Sequence, residues 1–307
     1  MKDLRKQFFT AILFVLANAL GLPTLAETIE VKESRYNTIV ISKTGNYVSM
    51  KFGHNTKLYT ESVVNLDDPT ELPVTYTRAM TAGLSYISDP ENIVEIGSGG
   101  GTIISYLNGF MGDQARFTTV ELDPQVLALS QKYFEFEGGP NVQVVEQDGR
   151  LFLLRTKETY DIIMVDAYRG PFVPFHLLTK EFYELIDRRL NTGGVVVQNV
   201  EPSTMLFDAA IATIGSVFDN VDVFPAGGNV VVTAYQGAPR AQDDLLRIAS
   251  QHDQDFAFRY PLSQIVDTRR IVNFDSFSAD ILTDDFAPAQ YLRSIELHNR
   301  RYEEISE

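Results

Sequence analysis

The sequence predicts an α/β fold: an open, mainly parallel sheet covered by helices on both faces and preceded by a small β-rich domain. Three observations predict it. From about Pro90 to Gln236, short apolar runs alternate with helical stretches in the manner of repeated strand–helix–strand crossovers. The last two apolar runs, Val221–Phe224 and Asn229–Tyr235, are separated only by Pro225-Ala226-Gly227-Gly228. That link is too short for a helical crossover, so an antiparallel hairpin should end the sheet. Ahead of the block, Tyr36–Ile41 and Tyr47–Phe52 are β-branched and aromatic runs joined through Lys43-Thr44-Gly45-Asn46, a hairpin connection.

Along the chain, Lys2, Arg5 and Lys6 precede an apolar run from Phe8 to Leu16, then small residues leading to Leu25-Ala26. A basic start, a short apolar stretch and a small-residue cleavage site form the secretory pattern. Phe8 to Leu22 would alternatively serve as a single membrane anchor, or as an amphipathic helix docked on the domain. Residues 1–26 are therefore expected to be a signal peptide or membrane tether. The β-rich domain follows at 27–75, ending where Asp67-Asp68-Pro69 and Leu72-Pro73 break the pattern. A helix-like stretch from Tyr76 to Ser85 opens the central domain, 76–240. Its strands are expected at Asn92–Gly97, Arg116–Asp123, Val142–Asp148, Tyr160–Asp166 and Val195–Val200. Helices are expected at Pro124–Tyr133, with Pro in the first turn, at Thr179–Leu190 before Gly193-Gly194, and near Asp208–Phe218. The polar remainder, 241–307, reads as a helical extension packed on the sheet.

Composition narrows the function. Of 307 residues, 44% are hydrophobic and 22% charged, which excludes a disordered chain, and no segment after the N-terminal run is apolar enough to span a membrane. A net charge of −15 disfavours nucleic acid and anionic lipid and favours cationic partners. The absence of cysteine removes disulfides, thiolate metal sites and a Cys nucleophile. His54, His176, His252 and His298 are scattered, so no metal site is expected.

In an open parallel sheet, ligands bind beyond the carboxyl ends of the strands. The first such strand runs into Gly97-Ser98-Gly99-Gly100-Gly101-Thr102. Gly97, Gly99 and Gly101 would let the backbone pass close to a ligand, but Thr102 stands where a dinucleotide fingerprint needs a third Gly. Glu121 ends the second strand, where an acid accepts hydrogen bonds from ribose hydroxyls, and Asp148-Gly149 ends the third, at the adenine edge. Helix N-capping is the alternative for each acid taken singly. Asp166 ends the fourth strand, where it could orient a nucleophilic amine and take its proton, and Gln198 ends the fifth as a further polar contact.

These motifs resemble those of the spermidine synthase (polyamine aminopropyltransferase) family, in its bacterial spermidine synthase-like branch. The resemblance is carried by Tyr36–Ile41, Tyr76, Ile96–Gly101, Val120–Pro124, Asp148-Gly149-Arg150 and Ile163–Tyr168. Leu178–Tyr183 and Leu282–Pro288 extend it. It implies a class I S-adenosylmethionine-dependent methyltransferase-like (Rossmann-like) fold, with a seven-stranded sheet and a small N-terminal β-domain. It also implies decarboxylated S-adenosylmethionine as cosubstrate, a small-molecule amine acceptor and a homodimer. Glu121 would hold the ribose and Asp148 the adenine. Asp166 would be the acid–base residue, with Tyr76, Tyr168 and Gln198 near the amine.

The chain departs from the family at three places. Gly100 replaces the loop Asp that contacts the donor's aminopropyl end, Thr77-Arg78 replaces His-Glu, and Arg169 replaces a second acid after Asp166. An S-adenosylmethionine-dependent methyltransferase and a non-catalytic exported protein binding nucleosides or polyamines are the alternative readings. The export pattern bears on both, because adenosyl sulfonium donors are made inside the cell.

Overall fold

The computed structural model describes residues 26–54, 57–204, 206–272 and 279–285. The expected signal or tether, and the end of the C-terminal motif beyond residue 285, lie outside them. Among the described residues no helix is long and apolar enough to cross a membrane.

The N-terminal domain is a four-stranded antiparallel meander of β1 (Glu27–Glu33), β2 (Thr38–Thr44), β3 (Tyr47–His54) and β4 (Lys57–Asn65). The β2–β3 turn needs Gly45, whose φ is 58°. Strands β1 and β4 add to the two the sequence made explicit. β1 alternates Glu and Lys with single apolar residues and is almost wholly exposed, so it carries little hydrophobic signal.

The central domain opens with α1 (Thr75–Met80), continued by a 3₁₀ turn to Tyr86. It proceeds through β5 (Asn92–Ile96), α2 (Thr102–Met111), β6 (Arg116–Glu121), α3 (Pro124–Phe134), β7 (Val142–Glu146), α4 (Gly149–Arg155) and β8 (Tyr160–Val165). Then come α5 (Lys180–Arg189), β9 (Leu190–Val200), α6 (Phe207–Gly215), β10 (Asn220–Ala226) and β11 (Asn229–Tyr235). Two helices, α7 (Gln242–Phe256) and α8 (Leu262–Val266), and a two-residue strand β12 (Arg270–Ile271) complete the described fold.

The sheet order is β12-β10-β11-β9-β8-β5-β6-β7. β5 through β9 run parallel, and β10 and β11 pair antiparallel over seven residue pairs, which is the expected closing hairpin. The sheet thus has one strand more than the seven expected, because Arg270 and Ile271 pair with the open edge of β10. Two residues are too few to leave a periodic signal in sequence.

Strands β6 and β7 lie on one side of β5, and β8 and β9 on the other. The strand order therefore reverses at β5/β8, and a crevice opens beyond their carboxyl ends. Helix α3 begins at Pro124 with Asp123 as its N-cap, the Asp123 side chain accepting from Gln125 N at 2.9 Å. Val126, Leu129 and Phe134 of α3 pack against Ile39, Ile41, Met50 and Phe52 of the N-terminal sheet. That contact lays β4 over the glycine loop.

The C-terminal helices are anchored electrostatically as well as by packing. Arg269 Nε lies 2.8 Å from Asp222 Oδ2, both side chains nearly inaccessible, and Tyr86 donates to the same oxygen at 2.6 Å. Arg269→Ala would leave Asp222 charged and unpaired in the interior. It is expected to cost about 3–5 kcal/mol of stability, measurable by urea denaturation.

Candidate active site

The crevice is built from four segments. β5 ends in the loop Gly97–Gly101, whose residues Gly97, Gly99 and Gly101 have φ of 90°, 50° and 69°. Gly97 is demanded by close approach: a Cβ there would run into the Asp166 carbonyl oxygen and lie 2.7 Å from Ala167 Cα. The loop after β8 is drawn in by Asp166 N donating to Ile96 O at 2.8 Å. β4 contributes Glu61 and Ser62, and α1 contributes Tyr76 and Thr77.

Asp166, Tyr76, Tyr168, Gly97 and Gly99 line one narrow cleft, together with Glu61, Ser62, Thr77 and Glu95. Of the sequence-predicted residues, the acid–base Asp166, the amine-side Tyr76 and Tyr168, and the loop residues Gly97 and Gly99 are therefore brought together there. Glu121 bounds the loop: its Oε2 accepts from Ser98 N at 3.1 Å and Gly99 N at 3.4 Å, and its Oε1 from Asp123 N at 3.0 Å. Gly97 N donates to Val120 O, Gly100 N to Ser62 Oγ, and Gly101 N to Ser98 O. Every backbone N–H from residue 97 to 101 is thus satisfied within the protein. None is left for a pyrophosphate, which is what a dinucleotide site requires.

Three predicted residues stand elsewhere. Asp148 caps α4, accepting from Leu151 N at 2.9 Å, and its Oδ2 lies 2.9 Å from His176 Nε2. His176 holds the Asp148 carboxyl below the usual carboxylate range. Together they line a separate surface depression with Arg150. Gly149 serves packing, since a Cβ there would strike Ile96 Cγ2. Gln198 is turned away and buried, its Oε1 accepting from Tyr183 Oη at 2.7 Å. The next residue takes the place expected of it: Asn199 Nδ2 donates to Asp166 Oδ1 at 2.9 Å. Side chains alternate faces along a strand, so a shift of one position moves the function from one face of β9 to the other. Asn229 Nδ2 in turn donates to Asn199 Oδ1 at 2.8 Å, and Tyr168 Oη donates to Asn199 O at 3.0 Å.

Two acids went unread in the sequence. Glu95 sits mid-strand in β5, only 1% exposed, its Oε2 accepting from Thr119 Oγ1 at 3.1 Å. A carboxylate inside an otherwise apolar central strand was itself a signal. Glu61 had no such mark, since it stands in the polar run Thr60-Glu61-Ser62 of β4.

The departures from the family pattern fall differently. Arg169 is exposed and is not among the residues lining the cleft. Arg78 donates through Nε to Leu72 O at 2.7 Å and lies over the Tyr260 ring, away from the crevice.

Electrostatically the cleft is lined by acids that a bound cation would help to ionise. Glu61, Glu95 and Asp166 line it with no Lys, Arg or His among the lining residues. Burial, then the charge of Asp166, pushes Glu61 and Glu95 well above the carboxylate range. Burial raises Asp166 itself to about 6, offset in part by hydrogen bonds from Asn199 and Tyr76. Burial also raises Glu121. A carboxylate so poised can orient an amine and accept its proton near neutral pH.

A family model described as the spermine/spermidine synthase domain matches residues 75–225. A polyamine aminopropyltransferase from Chromobacterium violaceum is 33% identical over 205 residues, covering 66% of this chain and 77% of the relative. One from Neisseria meningitidis serogroup A is 32% identical over 217 residues, covering 69% and 81%. Among solved structures, a probable spermidine synthase from Corynebacterium glutamicum aligns with a TM-score of 0.66 at 21% identity, covering 84% of this chain and 97% of that one. The last comparison bears on the fold alone and supports the methyltransferase-like architecture.

Asn199→Ala removes a bond that favours the ionised form of Asp166. The Asp166 pKa is expected to climb above its value of about 6, as followed by a carbon-13 carboxyl titration of Asp-labelled protein. An unmoved midpoint would refute the orienting role of Asn199.

Proposed function

The chain belongs to the spermine/spermidine synthase family, and on that premise we propose that it transfers an aminopropyl group from decarboxylated S-adenosylmethionine to a small amine. The observation that supports this reading is Asp166, raised by burial to about 6, held by Asn199 and lining an acidic cleft. Glu121, on the loop N–H groups beside the cleft, retains lone-pair capacity for the donor's ribose hydroxyls. Asp148 is assigned to the adenine end by family resemblance, and would reach it from its pairing with His176.

The amine nitrogen attacks the methylene carbon beside the sulfonium. The carbon–sulfur bond breaks with its electron pair remaining on sulfur, and methylthioadenosine leaves. The new ammonium gives its proton to the Asp166 carboxylate. Most of the rate advantage comes from aligning the two reactants within the cleft. Tyr76 and Tyr168 flank Asp166, shield it from water and restrict the directions from which an amine approaches.

A second reading is favoured by residues 1–26. If they export the domain, it is separated from the donor's site of synthesis, and the cleft would bind a cationic nucleoside or polyamine without turnover. The mass of the mature protein distinguishes cleavage near Ala26 from a retained tether. Product formed from decarboxylated donor and an amine removes the non-catalytic reading.

Asp166→Asn is expected to lower kcat by about 10²–10⁴ while methylthioadenosine still binds. In the unaltered enzyme at saturating donor, both the free amine and ionised Asp166 are needed. The slope of log kcat/KM against pH should therefore steepen from about one to about two as pH falls through about 6. In Asp166→Asn the steepening should vanish.

A further inference from the structure

The loop cannot supply a carboxylate at position 100. Gly100 N donates to Ser62 Oγ at 2.8 Å, and a Cβ there would lie 2.5 Å from Phe134 Cδ1 and 2.9 Å from Ser62 Cβ. Phe134 is 6% exposed and fixed in the cluster between α3 and the N-terminal sheet, so its ring cannot yield. A negative group for the donor's far end must come from another segment.

Two side chains meet that need. Glu61 stands beside Ser62 on β4 and lines the cleft, and its Oε1 is shut off from solvent with no hydrogen-bond partner. A buried acceptor without a donor carries a large desolvation cost unless a ligand supplies one. Glu95 lines the same cleft from β5, one oxygen held by Thr119. With Asp166, the cleft gathers three acids and no basic lining residue. The decarboxylated donor carries two cationic centres, its sulfonium and its ammonium. Intact S-adenosylmethionine adds a carboxylate beside the ammonium, which would be repelled by whichever of these acids the ammonium draws into its ionised form.

Resting on the aminopropyl-transfer reading, we propose that Glu61 and Glu95 hold the donor's terminal ammonium in place of a loop acid. They are then the residues that select the decarboxylated over the intact sulfonium nucleoside. Selectivity lies in the seam between the N-terminal sheet and the central sheet, and the glycine loop is a spacer.

The test is calorimetric titration of the full chain with three nucleosides: methylthioadenosine, which has no charge at that end, decarboxylated S-adenosylmethionine and the intact form. The unaltered protein should bind the decarboxylated form at least about tenfold more tightly than either of the others. Glu61→Gln and Glu95→Gln should each weaken it about tenfold, narrow the gap to the intact form, and leave methylthioadenosine affinity unchanged within about twofold. Because methylthioadenosine reports an intact nucleoside site, each variant carries its own folding control, and either one suffices if the other fails to fold. Equal affinity of the unaltered protein for all three nucleosides would overturn the proposal while leaving the nucleoside site standing. So would variants that weaken methylthioadenosine as much as the donor. Failure to bind any of the three would overturn the aminopropyl-transfer reading and this proposal with it.

Discussion

The site depends on the contact between Gly97 and the backbone of Asp166 and Ala167. Where β5 and β8 end, no side chain separates the two loops, and Asp166 N donates to Ile96 O. This fixes the Asp166 carboxyl to the strand that carries Glu95 and to the loop that carries the Glu121 hydrogen bonds. A methyl group at residue 97 would part the loops and move Asp166 relative to both. Asn199, Asn229 and Tyr168 then set its orientation from the far side. Precise placement of one carboxyl is therefore a property of the sheet, and loop sequence alone does not secure it.

The same arrangement costs stability when the cleft is empty. Glu61, Glu95 and Asp166 are all harder to ionise in the fold than in the open chain. An acid whose pKa rises on folding binds more protons folded than unfolded, so its contribution to stability falls as pH climbs toward the folded pKa. For Asp166 that decline runs from about 4 to about 6. The apolar cluster spanning α2, β5, β8 and the C-terminal helices offsets this strain at a distance from the cleft. A cation entering the cleft relieves it directly, so substrate binding and tightening of the fold are coupled.

Much of this was legible in the chain. Alternating runs with a short final connection dictated the sheet and its closing hairpin, because crossover length decides between parallel and antiparallel neighbours. The place of Asp166 was legible as well, since a strand-terminal carboxylate at a switch point faces the crevice. Asn199 rather than Gln198 reaches Asp166, because sequence shows that a strand ends but not which face each position takes. Tyr183 decides the matter by offering Gln198 a partner on the opposite side. Glu61 could not be found from sequence at all. Its role arises from the packing of α3 against the N-terminal sheet, a contact between segments more than sixty residues apart. Asp148 illustrates a third limit, for the capping and ligand readings of a strand-end acid differ only in what approaches from outside.

The closed hydrogen bonding of the glycine loop has a consequence for competition between nucleosides. Nucleotide pools are dominated by polyanions, and folds of this architecture commonly greet phosphate with a row of open amides. Here those amides are already committed to Glu121, Ser62 and neighbouring carbonyls. Nor, among the described residues, does any Lys, Arg or His line the cleft to receive a phosphate. A phosphate would thus find no open amide along this loop, and a nucleoside carrying anions would gain nothing from it that a cationic one lacks.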